Sequence, residues 1–434
     1  MKKFIAALSI LLVSTCVLAQ EVKNNSIKDE DGDAPVLDAA YSLYGIAYSV
    51  SGVQSDYVYD VAHIRLHPGI KLSAGNVRGV FMFGIDQDFG RNGSSVTDSG
   101  ADPGTGNFVV GVKRAYLEIF NMFLPGLTAA AGLDRYRFPL VADNDFALFR
   151  VSRYFDPVKI TFNYIKINEY SQVEKDAANI EDHRDVDALA AEIHFKSGIF
   201  SLRPGFIFII GGEQSATASD ARIMNFSLGL AADLNSVYLS LNGSYMAGRT
   251  DSQTTASAFA IDAEAGVTLY GKVRTGGFCT YGSGDDGTGT DDNSYFYNMN
   301  NLFGSTSKKT GAPDGRLLLL ENATVAESTA TGNVFDVMDD SRGYMSAGLF
   351  IEAAFAKVKL SALCGVAYFA TADGAGNSFI GSELDLGASY TVAYNTELFV
   401  EAALLFAADS AVGPAASYEP GNVAQITLGI TTDL

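Results

Sequence analysis

Tryptophan is absent from the 434 residues, and histidine occurs four times and cysteine three times. One cysteine, Cys16, falls in the first twenty residues, which leaves Cys279 and Cys364. A chain this long with so few thiols is not a disulfide-stapled scaffold. Beyond those first twenty residues no apolar run approaches the roughly 20 residues that a membrane helix needs. Lysine and arginine number 30 against 50 acidic residues, a formal charge of −20. That balance argues against nucleic acid, which is bound by cations that displace counterions. The histidines are His63, His67, His183 and His194, and no short motif joins one to a serine and an aspartate. Without such a grouping no catalytic residues are expected. Asp285, Asp286, Asp291 and Asp292 lack the spacing of a helix-loop-helix calcium loop and read as solvated loop charge. No metal ligands and no cofactor are expected.

What the chain has is alternation. Met224, Phe226, Leu228 and Leu230 are separated by Asn225, Ser227, Gly229 and Ala231. After Asp233 to Ser236 the pattern restarts with Val237, Leu239 and Leu241. Period-two segments of this kind read as strands with one apolar face. They run from about residue 40 to the end, and about eighteen can be counted, with sixteen as the alternative. Ahead of them, Lys2 and Lys3, the apolar stretch from Phe4 to Val13 and the small-residue site Val17-Leu18-Ala19 have the order of an export signal. The expected organisation is a signal peptide over 1–19, a leader over 20–39 and one domain over 40–434.

The connections alternate in length. Tight ones occur near Lys71, Leu124, Phe155, Lys196, Asp233, Tyr270, Phe355 and Ala393. Longer polar ones cover 88–107, 135–144, 170–184, 211–221, 249–256, 283–342 and 407–421. This rhythm predicts an all-β, antiparallel up-and-down barrel with short periplasmic turns and long external loops. Eighteen strands enclose too wide a cylinder for side chains to fill. The apolar face therefore goes outward to lipid and the small polar face lines water. Closure pairs every backbone group, as hydrocarbon demands. Tyr44, Tyr48, Tyr164, Tyr245, Tyr270, Tyr344, Tyr368 and Tyr390 lie near strand ends, where an interfacial aromatic girdle belongs. Cys279 and Cys364 fall on the outward register, too far apart to bridge.

Parity assigns the pore lining. His63, Arg65, Arg114, Glu118, Arg150, Lys159, Glu192, His194 and Arg203 point inward. So do Asp262, Glu264, Lys272, Arg274, Glu352, Lys359, Glu383, Asp385 and Glu401. Basic residues dominate the first half and acidic ones the last third. Two consequences are open: a transverse field across the constriction, or wall charges that satisfy one another. Glu264 is expected to stand in water, so that its reversal to arginine leaves folding intact. The 283–342 connection carries Leu317 to Leu320 and is expected to pack, either in the lumen as a plug or lid or against a partner.

VKRAYLEIF (Val112 to Phe120) and YFDPVKITFNYIKINE (Tyr154 to Glu169) resemble segments of Gram-negative outer-membrane porins. Among these the chain looks most like the substrate-type porins related to alginate-export channels, which are single-chain barrels of eighteen strands. The resemblance implies an arginine-lined path, here Arg65, Arg114, Arg150, Arg203 and Arg274. Glu264, Glu352, Glu383 and Asp385 would oppose an anion there. The expected function is passive diffusion of small hydrophilic solutes or ions across the outer membrane, through a water-filled lumen with a mixed-charge constriction. The alternative is a binding, adhesion or structural barrel with a plugged lumen. Expected partners are outer-membrane lipid and the solutes. A homotrimer is compatible with this architecture, although no trimer face stands out.

Overall fold

The computed structural model describes residues 36–52, 58–91, 99–100, 109–168, 186–211, 221–249, 254–285, 292–293, 296, 316–317, 319–320, 342–372, 376, 378–393, 395–408 and 422–433. These residues form twenty strands, of which Ser99–Gly100 and Asp292–Asn293 are two-residue pieces and eighteen are long. The first six long strands are β1 (Val36–Gly52), β2 (Val58–Ala74), β3 (Val77–Arg91), β4 (Val109–Ile119), β5 (Leu127–Phe138) and β6 (Ala142–Phe155). Next come β7 (Val158–Asn168), β8 (Val186–Ser197), β9 (Phe200–Gly211), β10 (Arg222–Leu234), β11 (Val237–Arg249) and β12 (Thr255–Leu269). The last six are β13 (Val273–Gly282), β14 (Tyr344–Phe355), β15 (Val358–Tyr368), β16 (Phe379–Ala393), β17 (Thr396–Ala407) and β18 (Val423–Asp433). Residues 1–35, where the signal and most of the leader are expected, and most of the 283–342 connection lie outside the described residues. The first strand begins at Val36, ahead of the boundary expected at 40.

Each long strand pairs antiparallel with its neighbours in sequence. The last one closes the ring: β18 pairs with β17 from Thr396↔Thr432 and with β1 from Ser42↔Asp433. A closed ring has no edge, so every strand finds partners on both sides. Residues that favour left-handed backbone sit in several of the tight turns, such as Asn235 at φ 67° and Gly198 at φ 55°. Asparagine and glycine tolerate that region at least cost. One connection expected to be long is not. Residues 135–144 are the tips of β5 and β6 joined by the short turn 139–141. The reason lies in the alternation, which inverts here. Tyr136 and Phe138 are buried and face inward, while Arg135 and Arg137 are exposed. The opposite face of this hairpin tip carries Arg135, Arg137 and Asp145, so its strand pattern reads as polar loop.

The outer face matches expectation. Leu349 is 65% exposed, Phe162 59%, Ile426 55% and Leu386 52%. In β10, Met224, Phe226, Leu228 and Leu230 are exposed, whereas Asn225 and Ser227 are buried. Exposed aromatics gather beside the turns at one end: Phe155, Phe200, Tyr270, Phe355 and Tyr390. A second set, with Tyr164, Tyr245, Phe259 and Phe379, lies towards the other end. Phe259 and Tyr270 are 11 residues apart along β12 and its turn. At about 3.3 Å per residue and a tilt of about 40°, that separates the two belts by about 28 Å. Tyr344 departs from the expected girdle: it is buried on the inner face. The side chains of Tyr44 and Tyr48 fall outside the described residues.

The buried apolar residues form two clusters. One joins Tyr136, Phe138 and Val141 of the β5–β6 tip to Ile207, Ile209, Ile223 and Met246 on the wall. Phe138 reaches β9, where a side chain on Gly205 would lie 2.7 Å from its ring. The other cluster joins Leu317, Leu319 and Leu320 of the long connection to Phe278, Phe350, Ala403 and Leu405. Both clusters lie inside the ring, because Ile207, Phe278, Phe350 and Leu405 occupy inward registers.

Candidate functional site

The inner wall is built by register. Asn242 lies opposite Asp262, Asp262 opposite Thr280, and Ser240 opposite Glu264. Arg274 lies opposite Glu352 and Glu352 opposite Ser361. Because side chains alternate across a strand, these residues share one face. Ile261 and Leu269 occupy the other face and are exposed.

Sixteen of the expected pore-lining residues occupy inward registers with described side chains, and most stand beside a partner. Arg150 Nη1 is 3.2 Å from Asp134, and its Nε donates to Asn163 at 3.0 Å. Glu118 pairs with Arg78. Arg114 Nε is 3.7 Å from Asp145, which also holds Lys113 at 2.6 Å. Arg203 Nε donates to Glu192 at 2.9 Å, and its Nη2 donates to the Arg137 carbonyl at 3.0 Å, tying the β5–β6 tip to β9. Lys159 lies opposite His194, whose Nε2 is 3.1 Å from Ser201 Oγ. Lys359 Nζ is 3.0 Å from Glu397. Arg65 lies opposite Asp86 in the β2–β3 register.

Two residues differ. Lys272 is exposed in the 270–272 turn rather than on the wall, because β12 ends at Leu269 and β13 starts at Val273. His63 sits in β2, but its side chain lies outside the described residues.

The strongest grouping is where the long connection enters. Arg316 Nη1 is 2.8 Å from Asp262 Oδ1 and its Nη2 is 3.0 Å from Glu264 Oε2. Arg274 pairs with Glu264 as well and reaches Glu352 at 3.3 Å. Aromatic rings stack on both guanidiniums: Tyr238 lies 4.3 Å from Arg274 and Phe278 4.9 Å from Arg316. Beside this group Glu383, 2% exposed, accepts the backbone N–H of Leu319 at 2.6 Å and of Leu320 at 3.0 Å. A cavity of about 240 Å³ opens here, lined by Glu264, Arg274, Arg316, Phe350, Glu352, Leu363, Asp385 and Glu401 among others.

This corrects one expectation. Glu264 does not stand in water; it is the hinge of an Arg274–Glu264–Arg316 group, and reversing it would set three cations together. Of the two consequences left open, the geometry accords with wall charges that satisfy one another: Arg78, Arg150, Arg203 and Arg274 each pair with a carboxylate on a neighbouring strand, and Arg114 lies near Asp145 of β6.

The sequence reading missed Arg78, Asp134 and Arg316. Parity along β3 and β5 would have found the first two, since each lies in register with the wall. Arg316 has no local signal. It meets Asp262 and Glu264 across more than fifty residues of chain.

No protein-family model and no curated protein matches the chain. Solved structures do. Pseudomonas aeruginosa OpdQ is similar with a TM-score of 0.56 at 11% identity, over 92% of this chain and 98% of that one. Pseudomonas aeruginosa OpdO gives 0.55 at 12%, over 92% and 97%. The outer membrane protein opdK of the same organism gives 0.53 at 13%, over 92% and 98%. At these identities the likeness establishes the fold. It lends no support to the narrower resemblance to alginate-export channels.

Proposed function

We propose that the chain is an outer-membrane channel for passive diffusion of small hydrophilic solutes or ions. The observation that carries this is the closed ring of eighteen long strands with large apolar side chains on its outside and paired charges on its inside. Hydrocarbon accepts such an outer face and a water-soluble protein does not: contiguous apolar patches beyond a few hundred Å² are rare on soluble monomers. The inward charges keep the lumen wet, and the mixed-charge group of Asp262, Glu264, Arg274 and Arg316 narrows it on one side. The similarity to opdK, an outer membrane protein, accords with this location.

Refolded protein in liposomes should admit small sugars and amino acids, read as osmotic swelling whose rate falls with solute size. Folded protein that leaves the liposomes tight would favour a second reading, a barrel occluded from within. The observation behind that reading is the Leu317–Leu320 segment packed on the inner wall.

A further inference from the structure

Arg316 reaches the wall from a connection, not from a strand. The strands themselves bring Asp262, Glu264 and Glu352 together with a single arginine, Arg274. Asp262 is only 1% exposed and also accepts from Thr280 Oγ1 at 3.1 Å. A carboxylate so deeply placed needs a cation. Arg316 supplies it with two charged contacts and lies 4.9 Å over the Phe278 ring. Two carboxylates and an aromatic plate are what a planar guanidinium wants.

We propose that the recess formed by Asp262, Glu264 and Phe278 is a binding site for the guanidinium or alkylammonium head of a small solute. Arg316 is its built-in occupant, and a cationic solute displaces it. The adjoining cavity, where Phe350 and Leu363 stand among carboxylates, has room for the solute's stem. The binding claim needs only the recess. The claim that displacement admits solute rests on the channel reading given above.

A tethered competitor acts at an effective concentration in the millimolar range. It lowers the apparent affinity for a free cation by the fraction of time that the site is vacant. Removing it should therefore tighten binding by about tenfold.

The test is calorimetric titration of methylguanidinium into the refolded full chain in detergent micelles. Arg316→Ala should bind one equivalent about tenfold more tightly than wild type, and Arg316→Lys should restore weak binding. Adding Asp262→Asn to Arg316→Ala should weaken it again by about tenfold. Heat-modifiable gel migration checks that each variant is folded, and Arg316→Gln replaces the alanine if it is not. Binding to Arg316→Ala no tighter than to wild type overturns the proposal, as does indifference to Asp262→Asn. In bilayers, methylguanidinium should raise the wild-type current and block the Arg316→Ala current. A protein that binds as described but never conducts upholds the site and removes the channel reading alone.

Discussion

Leu349→Arg is the sharpest test of which way the wall faces. Leu349 lies mid-strand in β14, paired with Gly277 and Cys364, and is 65% exposed on the outer face. Near the bilayer midplane an outward arginine costs about 2–4 kcal/mol. Ser361→Arg, on the neighbouring β15, is the control. Ser361 lies opposite Glu352 on the inner face and borders the charged cavity. There the new cation stays wet beside carboxylates, so the change should be within about 0.5 kcal/mol. Urea unfolding in lipid vesicles reads the difference. The chain has no tryptophan, so far-UV circular dichroism and gel migration serve as probes. With a slope near 3 kcal/mol per molar, Leu349→Arg should lower the midpoint by about 1 M. An unchanged midpoint for Leu349→Arg together with a large loss for Ser361→Arg would refute the reasoning, because the faces would then be reversed.

Three further outcomes follow from the same geometry. Gly205→Ala should cost about 1–3 kcal/mol, because its new methyl meets the Phe138 ring at 2.7 Å; Gly243→Ala, with nothing within 4 Å, should be near neutral in the same unfolding assay. Glu383→Gln leaves a single acceptor oxygen where two carboxyl oxygens accept the Leu319 and Leu320 amides, so one buried N–H loses its partner at a cost of about 1–3 kcal/mol. It should loosen that segment, read as a higher or noisier channel current together with a lower unfolding midpoint. A spin label attached to Cys279 or Cys364 before refolding should collide with oxygen and not with a water-soluble nickel chelate, since both thiols are exposed on the outer face.

The barrel was legible because an apolar outer face and a polar inner one impose a strict period of two. β10 shows it cleanly, with Phe226 half exposed and Asn225 fully buried. Inward placement of Arg150, Glu192, Arg203 and Asp262 followed from the same parity. What escaped lies where that pressure ends or where the chain doubles back. At the β5–β6 tip Tyr136 and Phe138 are buried against the inner wall, and Arg135 and Arg137 lie on the opposite face together with Asp145, which meets Lys113 and Arg114 of β4. The rule then points the wrong way, and strand looked like loop. The pairing of the wall charges was hidden for another reason. Parity gives the face of a residue but not its height in the barrel, and height decides that Arg274 meets Glu264 while Arg150 meets Asp134. Arg316 depends on a long connection folding inward, a tertiary choice with no periodic trace.

The central claim is a water-filled path through a ring that lipid surrounds. Single-channel recording of the refolded full chain in planar bilayers tests it most directly. The account predicts stepwise, ohmic conductance in potassium chloride, and a step size that grows when Arg316 and Glu383 are both replaced by alanine. Protein shown to be folded and inserted, yet silent in wild-type and doubly substituted form alike, would contradict it.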